Sequence, residues 1–386
     1  MDNQPTGKII KVAFLIRSLN FGGAERQLAV LTQGMDKNRY SISVICFYEG
    51  GDFQKEIEGA GTRVISLKKS GRWDILSFYN HLLAQIKELK PDVLHAYLPV
   101  PNILAASLKM FLPGIKVIFG VRAADLRLSD YDWTFRFSYW LERNFSILAD
   151  KMIVNSNAGR EFYLKQGIAP QKMIAIPNGI DLNTYLPDPE AGKRLRNEWK
   201  IPEASLLIGM VGRLDPMKDH PTFLHACAEL LEKNDRCRFV CVGNGTESYR
   251  QKLIQMSVAY GLRDEIHWSK GRKDMKAVYN ALDICCSSSA YGEGFSNVLG
   301  EAMACGIPCV VTDVGDSAHI IGETGRVVTP GQPHALAESI DQILQMSKED
   351  REELGRLARQ RIERNFTVQK MVSRTESVFE SLIREA

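Results

Sequence analysis

Apolar runs of strand length alternate with amphipathic stretches along the whole chain. IIKVAFLI (9–16), ISVICFY (42–48), RVISL (63–67), DVLHAY (92–97), KVIFGV (116–121), KMIVNS (151–156) and KMIAIP (172–177) are β-branched and almost unbroken by polar residues. Such runs suit parallel strands covered on both faces. Between them, DILSFYNHLLAQIKELK (74–90) and WTFRFSYWLERNFSILADK (133–151) read as helices. The alternation predicts right-handed βαβ crossovers and a doubly wound sheet. It then restarts. After PNGIDLNTYLPDPEAG (177–192), rich in Pro, Asn, Asp and Gly, come SLLIGMVG (205–212), RFVCVG (238–243), EIHWS (265–269), DICCSS (283–288), PCVVTD (308–313) and GRVVTP (325–330). The expected class is α/β, with two Rossmann-like units facing each other across a cleft, divided near 182–190. Ligands of such sheets bind at the carboxyl ends of the strands. The last stretch, 350–386, reads as a charged helical tail.

Composition narrows the class without naming a function. A chain of 386 residues exceeds what one core usually organises, which also favours two domains. With 45% hydrophobic and 25% charged residues, the composition is that of an ordinary globular protein. No apolar run approaches the roughly 20 residues that span a bilayer. In MDNQPTGKIIKVAFLIRSLN, Arg17 and Asn20 stand where a secretory leader would have small residues, so none is expected. The eight cysteines form no CxxC pair, and Cys46, Cys241, Cys285 and Cys286 sit in apolar runs. Buried inert thiols and a reducing, cytoplasmic setting are the expectation. The net charge of +3 is unevenly spread: residues 1–185 hold 23 Lys and Arg against 17 Asp and Glu, and residues 186–386 hold 26 against 29. A basic first half suits an anionic partner, though a plain solvated surface fits equally. A near-neutral chain without a recognisable motif is a poor nucleic-acid binder.

Candidate chemistry lies where strands meet helices. Gly22-Gly23, in RSLNFGGAERQL, can bring bare amides close to a phosphate or sugar. The GxGxxG and P-loop patterns are both absent, which disfavours nicotinamide dinucleotides and triphosphate hydrolysis. In GMVGRLDPMKDH, Arg213 follows a strand and Lys218 comes five residues later, a plausible diphosphate clamp; the alternative is a surface ion pair with Asp215 or Asp219. CVGNGTESY offers Thr246 as a helix cap. In EGFSNVLGEAMACGIP (293–308), Ser296 or Asn297 can cap a helix whose first amides, from Gly294 through Phe295 to Val298, suit a phosphate. Glu301, about one turn further on, can accept from a ribose diol, and Glu293 can reach a sugar hydroxyl.

Taken in order, Gly22-Gly23-Ala24-Glu25, Pro177-Asn178-Gly179-Ile180-Asp181, Gly212-Arg213-Leu214 with Lys218, and Glu293-Gly294-Phe295 with Glu301-Ala302 and Gly306-Ile307-Pro308 resemble the family 4 retaining glycosyltransferases (group 1), whose fold is called GT-B. The resemblance spans nearly the whole chain. It implies an acceptor-binding domain at 1–185, a donor-binding domain at 186–365, and a terminal helix, 366–386, crossing back to the first. It further implies that Arg213 and Lys218 neutralise the donor diphosphate, Glu301 holds the ribose and Glu293 the transferred sugar. Gly294, Phe295, Ser296, Asn297 and Val298 would hold sugar and phosphate, Gly23 would approach the diphosphate from the other domain, and Gly271-Arg272 would hold the base. Many members carry a histidine after the KVIFGV-type strand, where this chain has Arg122. Arg122, His95 and Asn178 are the candidates near sugar or acceptor, with His95 slightly better read as a core residue.

The implied reaction is retaining, metal-independent transfer of a hexosyl or N-acetylhexosaminyl group from a nucleotide sugar, a UDP-sugar by expectation. The acceptor would be a glycan, free or lipid-linked, in cell-surface polysaccharide synthesis. No cofactor is expected: no DxD stands where a strand passes into its loop, the one at Asp130-Tyr131-Asp132 coming directly before a helix, and no His/Asp cluster has ligand spacing. Lys218→Ala and Arg213→Ala are expected to lose most turnover with the fold intact, and domain closure around 182–190 to gate the reaction. The segment RAADLRLSDYDWTFRFSYWLERNF mixes Arg122, Arg127, Arg136 and Arg143 with seven aromatics, Tyr131, Trp133, Phe135, Phe137, Tyr139, Trp140 and Phe145. It suits a peripheral membrane contact or, equally, a core helix with snorkelling arginines. Other readings in the same fold are a nucleotide-sugar epimerase, a phosphorylase lacking its lysine candidate, and a non-catalytic nucleotide-sugar-binding protein.

Overall fold

The computed structural model describes residues 8–71, 74–122 and 132–385. Each apolar run becomes a strand. The first seven are β1 (Ile10–Ile16), β2 (Tyr40–Cys46), β3 (Arg63–Ser66), β4 (Val93–Tyr97), β5 (Lys116–Val121), β6 (Lys151–Val154) and β7 (Met173–Ala175). The next six are β8 (Leu206–Val211), β9 (Cys237–Val242), β10 (Ile266–Ser269), β11 (Ile284–Ser287), β12 (Cys309–Thr312) and β13 (Gly325–Val328). One sheet runs β3-β2-β1-β4-β5-β6-β7 and the other β10-β9-β8-β11-β12-β13. Both sheets are parallel, as at β1–β4 and β8–β11. In each, the winding reverses beside the first strand, so a crevice opens at the carboxyl ends of β1 and β4 and of β8 and β11.

Burial explains the unbroken apolar runs. Val12, Phe14 and Ile16 of β1 enter one apolar layer, and Ala13 and Leu15 enter the layer on the opposite face. The eight cysteines are buried and free, and burial pushes the Cys46 and Cys237 thiols up to about 11. No helix among the described residues is long and apolar enough to cross a membrane.

Two compact units divide the chain: Met1–Gly179 with Val368–Ala386, and Ile180–Thr367. The region 182–190 therefore lies inside the second unit, where Asp188 caps the helix Pro189–Glu198. A local clamp holds the end of the first unit. The buried Gln27 side chain donates to the Gly179 carbonyl at 3.1 Å and accepts from the Gly179 amide at 3.0 Å. The charged tail forms two helices, Lys348–Asn365 in the second unit and Val368–Arg384 in the first. The break is explained by competition for backbone partners. Ile180 donates to the Phe366 carbonyl at 2.8 Å and pairs with Thr367, while the Phe366 ring packs 5.2 Å from Phe295.

Candidate functional site

Beyond β8, Gly212 leads into Arg213 and a single 3-10 turn, Pro216–Lys218. The Asp215 carboxylate caps that turn, accepting from the Met217 amide at 3.0 Å. It also pairs with Arg213 at 3.1 Å, so the surface ion pair named as an alternative is present. Asp219, at φ +50, caps the following helix, His220–Lys233. The turn is knitted to the loop after β11: the Ser288 hydroxyl lies 3.0 Å from the carbonyls of both Lys218 and Asp219, and Ala290 donates to the Met217 carbonyl at 2.9 Å.

That stitching brings Lys218 to Glu293. Its ammonium pairs with Glu293 Oε1, and the Ser289 hydroxyl donates to the same oxygen at 2.7 Å. Burial would push the Glu293 carboxyl up, but Lys218, Ser289 and Arg213 more than offset it and hold the group below its ordinary value. Behind it, Gly315 lies at φ +61, and a Cβ there would sit 2.2 Å from the Glu293 carbonyl oxygen. Gly315→Ala is therefore expected to displace Glu293 and to lower stability by about 2 kcal/mol, from backbone strain and the clash together. An unchanged denaturation midpoint would remove that support role.

Glu301 sits in the helix Asn297–Ala304, four positions after its first residue, or about 6 Å along the axis. The carboxylate is buried and accepts from the Tyr279 hydroxyl at 2.7 Å. Ser296 occupies the N-cap position but makes no side-chain cap bond, unlike Thr246, which accepts from the Tyr249 amide in the helix Glu247–Ala259. Gly294, Phe295 and Ser296 are buried, while Asn297 and Val298 are half-buried. The Phe295 ring belongs to the apolar core, which leaves its backbone for a ligand. Gly271 is exposed, and its amide donates to Asn244 Oδ1 at 2.9 Å. The Arg272 guanidinium is committed to two carboxylates, Asp274 at 2.8 Å and Glu198 at 2.7 Å. It is held as a strut rather than free to meet a base. Sequence reasoning missed Tyr279, Ser288 and Ser289. The only signal for them was position, on the segments flanking and following β11.

In the first unit, Gly23 opens the helix Gly23–Gly34 and is exposed. The Glu25 carboxylate folds back over Gly22, where an added Cβ would lie 2.1 Å from its Oε2. His95 lies in the middle of β4 rather than at its end, fully buried among the rings of Phe14, Tyr97 and Phe379. Arg122 follows β5, its guanidinium 4.4 Å from the Tyr97 ring centroid and donating to Asn178 Oδ1 at 3.3 Å.

The helix Trp133–Phe145 takes the outward of the two orientations its pattern allows. Trp133, Phe137 and Trp140 are exposed, and so is Ile147 beyond its end; Arg136 and Arg143 share that face. A core helix with snorkelling arginines does not describe it. Glu142 faces inward instead, accepting from Asn102 Nδ2 at 2.6 Å and from the Tyr163 hydroxyl at 3.0 Å. Arg127 and Tyr131 of the same segment lie outside the described residues. Burial pushes the Glu142 carboxyl up to about 7 despite those two bonds. A carboxyl raised in the fold stabilises fully below its unfolded value of 4.5 and loses that contribution as pH rises through about 7. The loss should amount to roughly 3 kcal/mol. Glu142→Gln is expected to flatten the stability profile over that interval; an equally steep profile in the variant would show that Glu142 is not its source.

Comparison with known proteins supplies the family. The model described as Glycosyltransferase Family 4 matches residues 21–184, and Glycosyl transferases group 1 matches 192–361. EpsF of Bacillus subtilis (strain 168), named as a glycosyltransferase, is 26% identical over 315 residues, 78% of this chain and 79% of its own. The N-acetyl-alpha-D-glucosaminyl L-malate synthase of Bacillus anthracis is 24% identical over 302 residues, 76% of each chain. Among solved structures, Anabaena Alr3699/HepE in complex with UDP-glucose superposes with a TM-score of 0.85 at 21% identity, covering 96% of this chain and 100% of that one. Two parallel-sheet units, each with its crevice at the first strand, and family matches across both halves lead to one conclusion: the chain belongs to the family 4, group 1 glycosyltransferases of GT-B fold.

Proposed function

We propose that the protein is a retaining hexosyltransferase that uses a UDP-sugar and a glycan acceptor. One observation carries the reading: Glu293 and Glu301 bracket the start of the helix Asn297–Ala304 beside the switch point of the second sheet, with Lys218 and Arg213 on the neighbouring loop. That spacing matches a sugar, a diphosphate and a ribose in sequence. HepE was solved with UDP-glucose, which supports uridine as the base.

In the reaction, the bond from the sugar's anomeric carbon to the β-phosphate oxygen breaks, and its electron pair leaves with UDP. The acceptor oxygen bonds to the same face of that carbon, and its proton passes to the departing phosphate. Lys218, Arg213 and the helix amides stabilise the charge that develops on the diphosphate. Glu293 orients the sugar, Glu301 binds the ribose, and Gly23, Gly294, Asn297 and Val298 contribute backbone to the substrate. Gly271 remains a backbone partner for the base, with Arg272 stiffening its loop. No metal is required, so chelation should leave the rate unchanged.

The acceptor side is read from the first unit. The outward Trp133, Phe137, Trp140 and Ile147, with Arg136 and Arg143 among them, suit the surface of an anionic membrane that carries a lipid-linked glycan. Vesicles with and without phosphatidylglycerol test this: the protein should sediment with the anionic ones only, and Trp140→Ser should weaken that binding. The reaction itself is tested by UDP release. Release from UDP-glucose or UDP-N-acetylglucosamine should depend on added glycan acceptor, and the product should keep the donor's anomeric configuration by NMR. Acceptor-independent conversion of the sugar would favour an epimerase, and binding without turnover a non-catalytic protein.

A further inference from the structure

At the carboxyl ends of β4, β5 and β7 the Tyr97, Arg122 and Asn178 side chains of the first unit meet, with His95 behind them in the middle of β4. Arg122 Nε and both ring nitrogens of His95 are buried without a hydrogen-bond partner, and the buried Tyr97 hydroxyl has Arg122 as its charged neighbour. The Arg122 guanidinium stacks over Tyr97, and its hydrogen bond to Asn178 Oδ1 is long at 3.3 Å. No carboxylate pairs with it among the described residues. Burial, and then the Arg122 charge, pushes the His95 imidazole well below its ordinary value, so the ring adds no charge.

A half-buried guanidinium without an anion is costly, because water is lost and nothing replaces it. A second cost falls at the same place. Leu98, directly after Tyr97, lies at φ 75 and ψ 165, a region occupied almost solely by glycine. Its amide is held there by the Gly120 carbonyl at 3.0 Å. A cation with no carboxylate partner among the described residues, a buried hydroxyl beside it and a strained backbone at the carboxyl end of β4 describe a site arranged for a ligand.

We propose that this cluster binds an oxyanion of the substrate, a carboxylate or phosphate, with Arg122 as its ion-pair partner and the Tyr97 hydroxyl as a second donor. The inference rests on the transferase reading, which places substrate at these strand ends. Two sources share the chemistry: a carboxylated sugar or a phosphorylated sugar as the acceptor.

Calorimetry on the full chain and on Arg122→Gln separates them. UDP should bind both proteins equally, since its contacts lie in the second unit; if UDP binds neither, the transferase reading fails, and the anion arms are read without it. In the carboxylate arm, with UDP saturating, glucuronate should bind the native chain at least ~10-fold tighter than the variant, while glucose does not distinguish them. In the phosphate arm, glucose 1-phosphate should show the same ~10-fold preference against the same glucose control. Tyr97→Phe should reproduce part of whichever preference appears. If neither arm shows an anion preference that depends on Arg122, the proposal is overturned.

Discussion

Lys218→Ala is expected to abolish most transfer and to loosen the fold as well. Removing the ammonium leaves Glu293 buried with the Ser289 hydroxyl as its close partner and Arg213 as the remaining nearby cation. Breaking a buried pair from one side typically costs about 3 kcal/mol or more. Loss of one preorganised charge at the diphosphate should lower turnover roughly 10²–10³-fold. The intact fold expected from sequence for this variant is thus revised, because the sequence did not show that Lys218 has an internal partner. The two losses separate by pH. In the native chain the Glu293 carboxyl is held low, so its contribution is present above the unfolded value of 4.5 and lost as pH falls through the lower folded one. In Lys218→Ala, burial dominates and raises the carboxyl, so stability instead falls as pH rises. Denaturation midpoints from pH 4 to 8 would show the reversal, and Lys218→Met with Glu293→Gln should restore stability but not transfer. Matching pH profiles for native and Lys218→Ala proteins would break the assignment. Arg213→Ala, exposed and paired only at the surface, should lose turnover at an unchanged midpoint.

Glu301→Ala should lose donor affinity by about 10²-fold or more, since hydrogen bonds to a charged group contribute about 1.5–3 kcal/mol each. It also strands the buried Tyr279 hydroxyl, at a cost of about 1–3 kcal/mol in stability. Glu301→Gln keeps an acceptor for Tyr279 and should spare the fold while still weakening the donor. The decisive comparison is UDP against 2′-deoxy-UDP. The native chain should prefer UDP, and Glu301→Ala should bind the two alike; persistent discrimination in the variant would move the ribose contact elsewhere.

Particular segments show how far the sequence could be read. The strand runs and the restart after residue 192 marked all thirteen strands, because two-sided burial demands unbroken apolar residues and leaves that demand in the sequence. Glycine and proline at the strand ends marked the loops that carry Arg213, Lys218 and Glu293. The helix 133–145 left two readings open, an outward aromatic face and a core face; Asn102, bonded to Gly120, offers Glu142 a buried partner, and the aromatic face turns outward. Likewise Arg272 looked available for a base until Glu198 and Asp274 were found on either side of it.

By itself, then, the sequence determined the elements, their alternation and the loops that carry chemistry, since periodicity and turn propensity act over a few neighbouring residues. The tertiary structure alone decided the partners. Lys218 meets Glu293 because β8 lies beside β11, and Tyr279 reaches Glu301 because their two helices pack within one core. Such pairs are fixed by sheet order and by the cost of burying a charge or hydroxyl without a counterpart, neither of which is a local property of the chain.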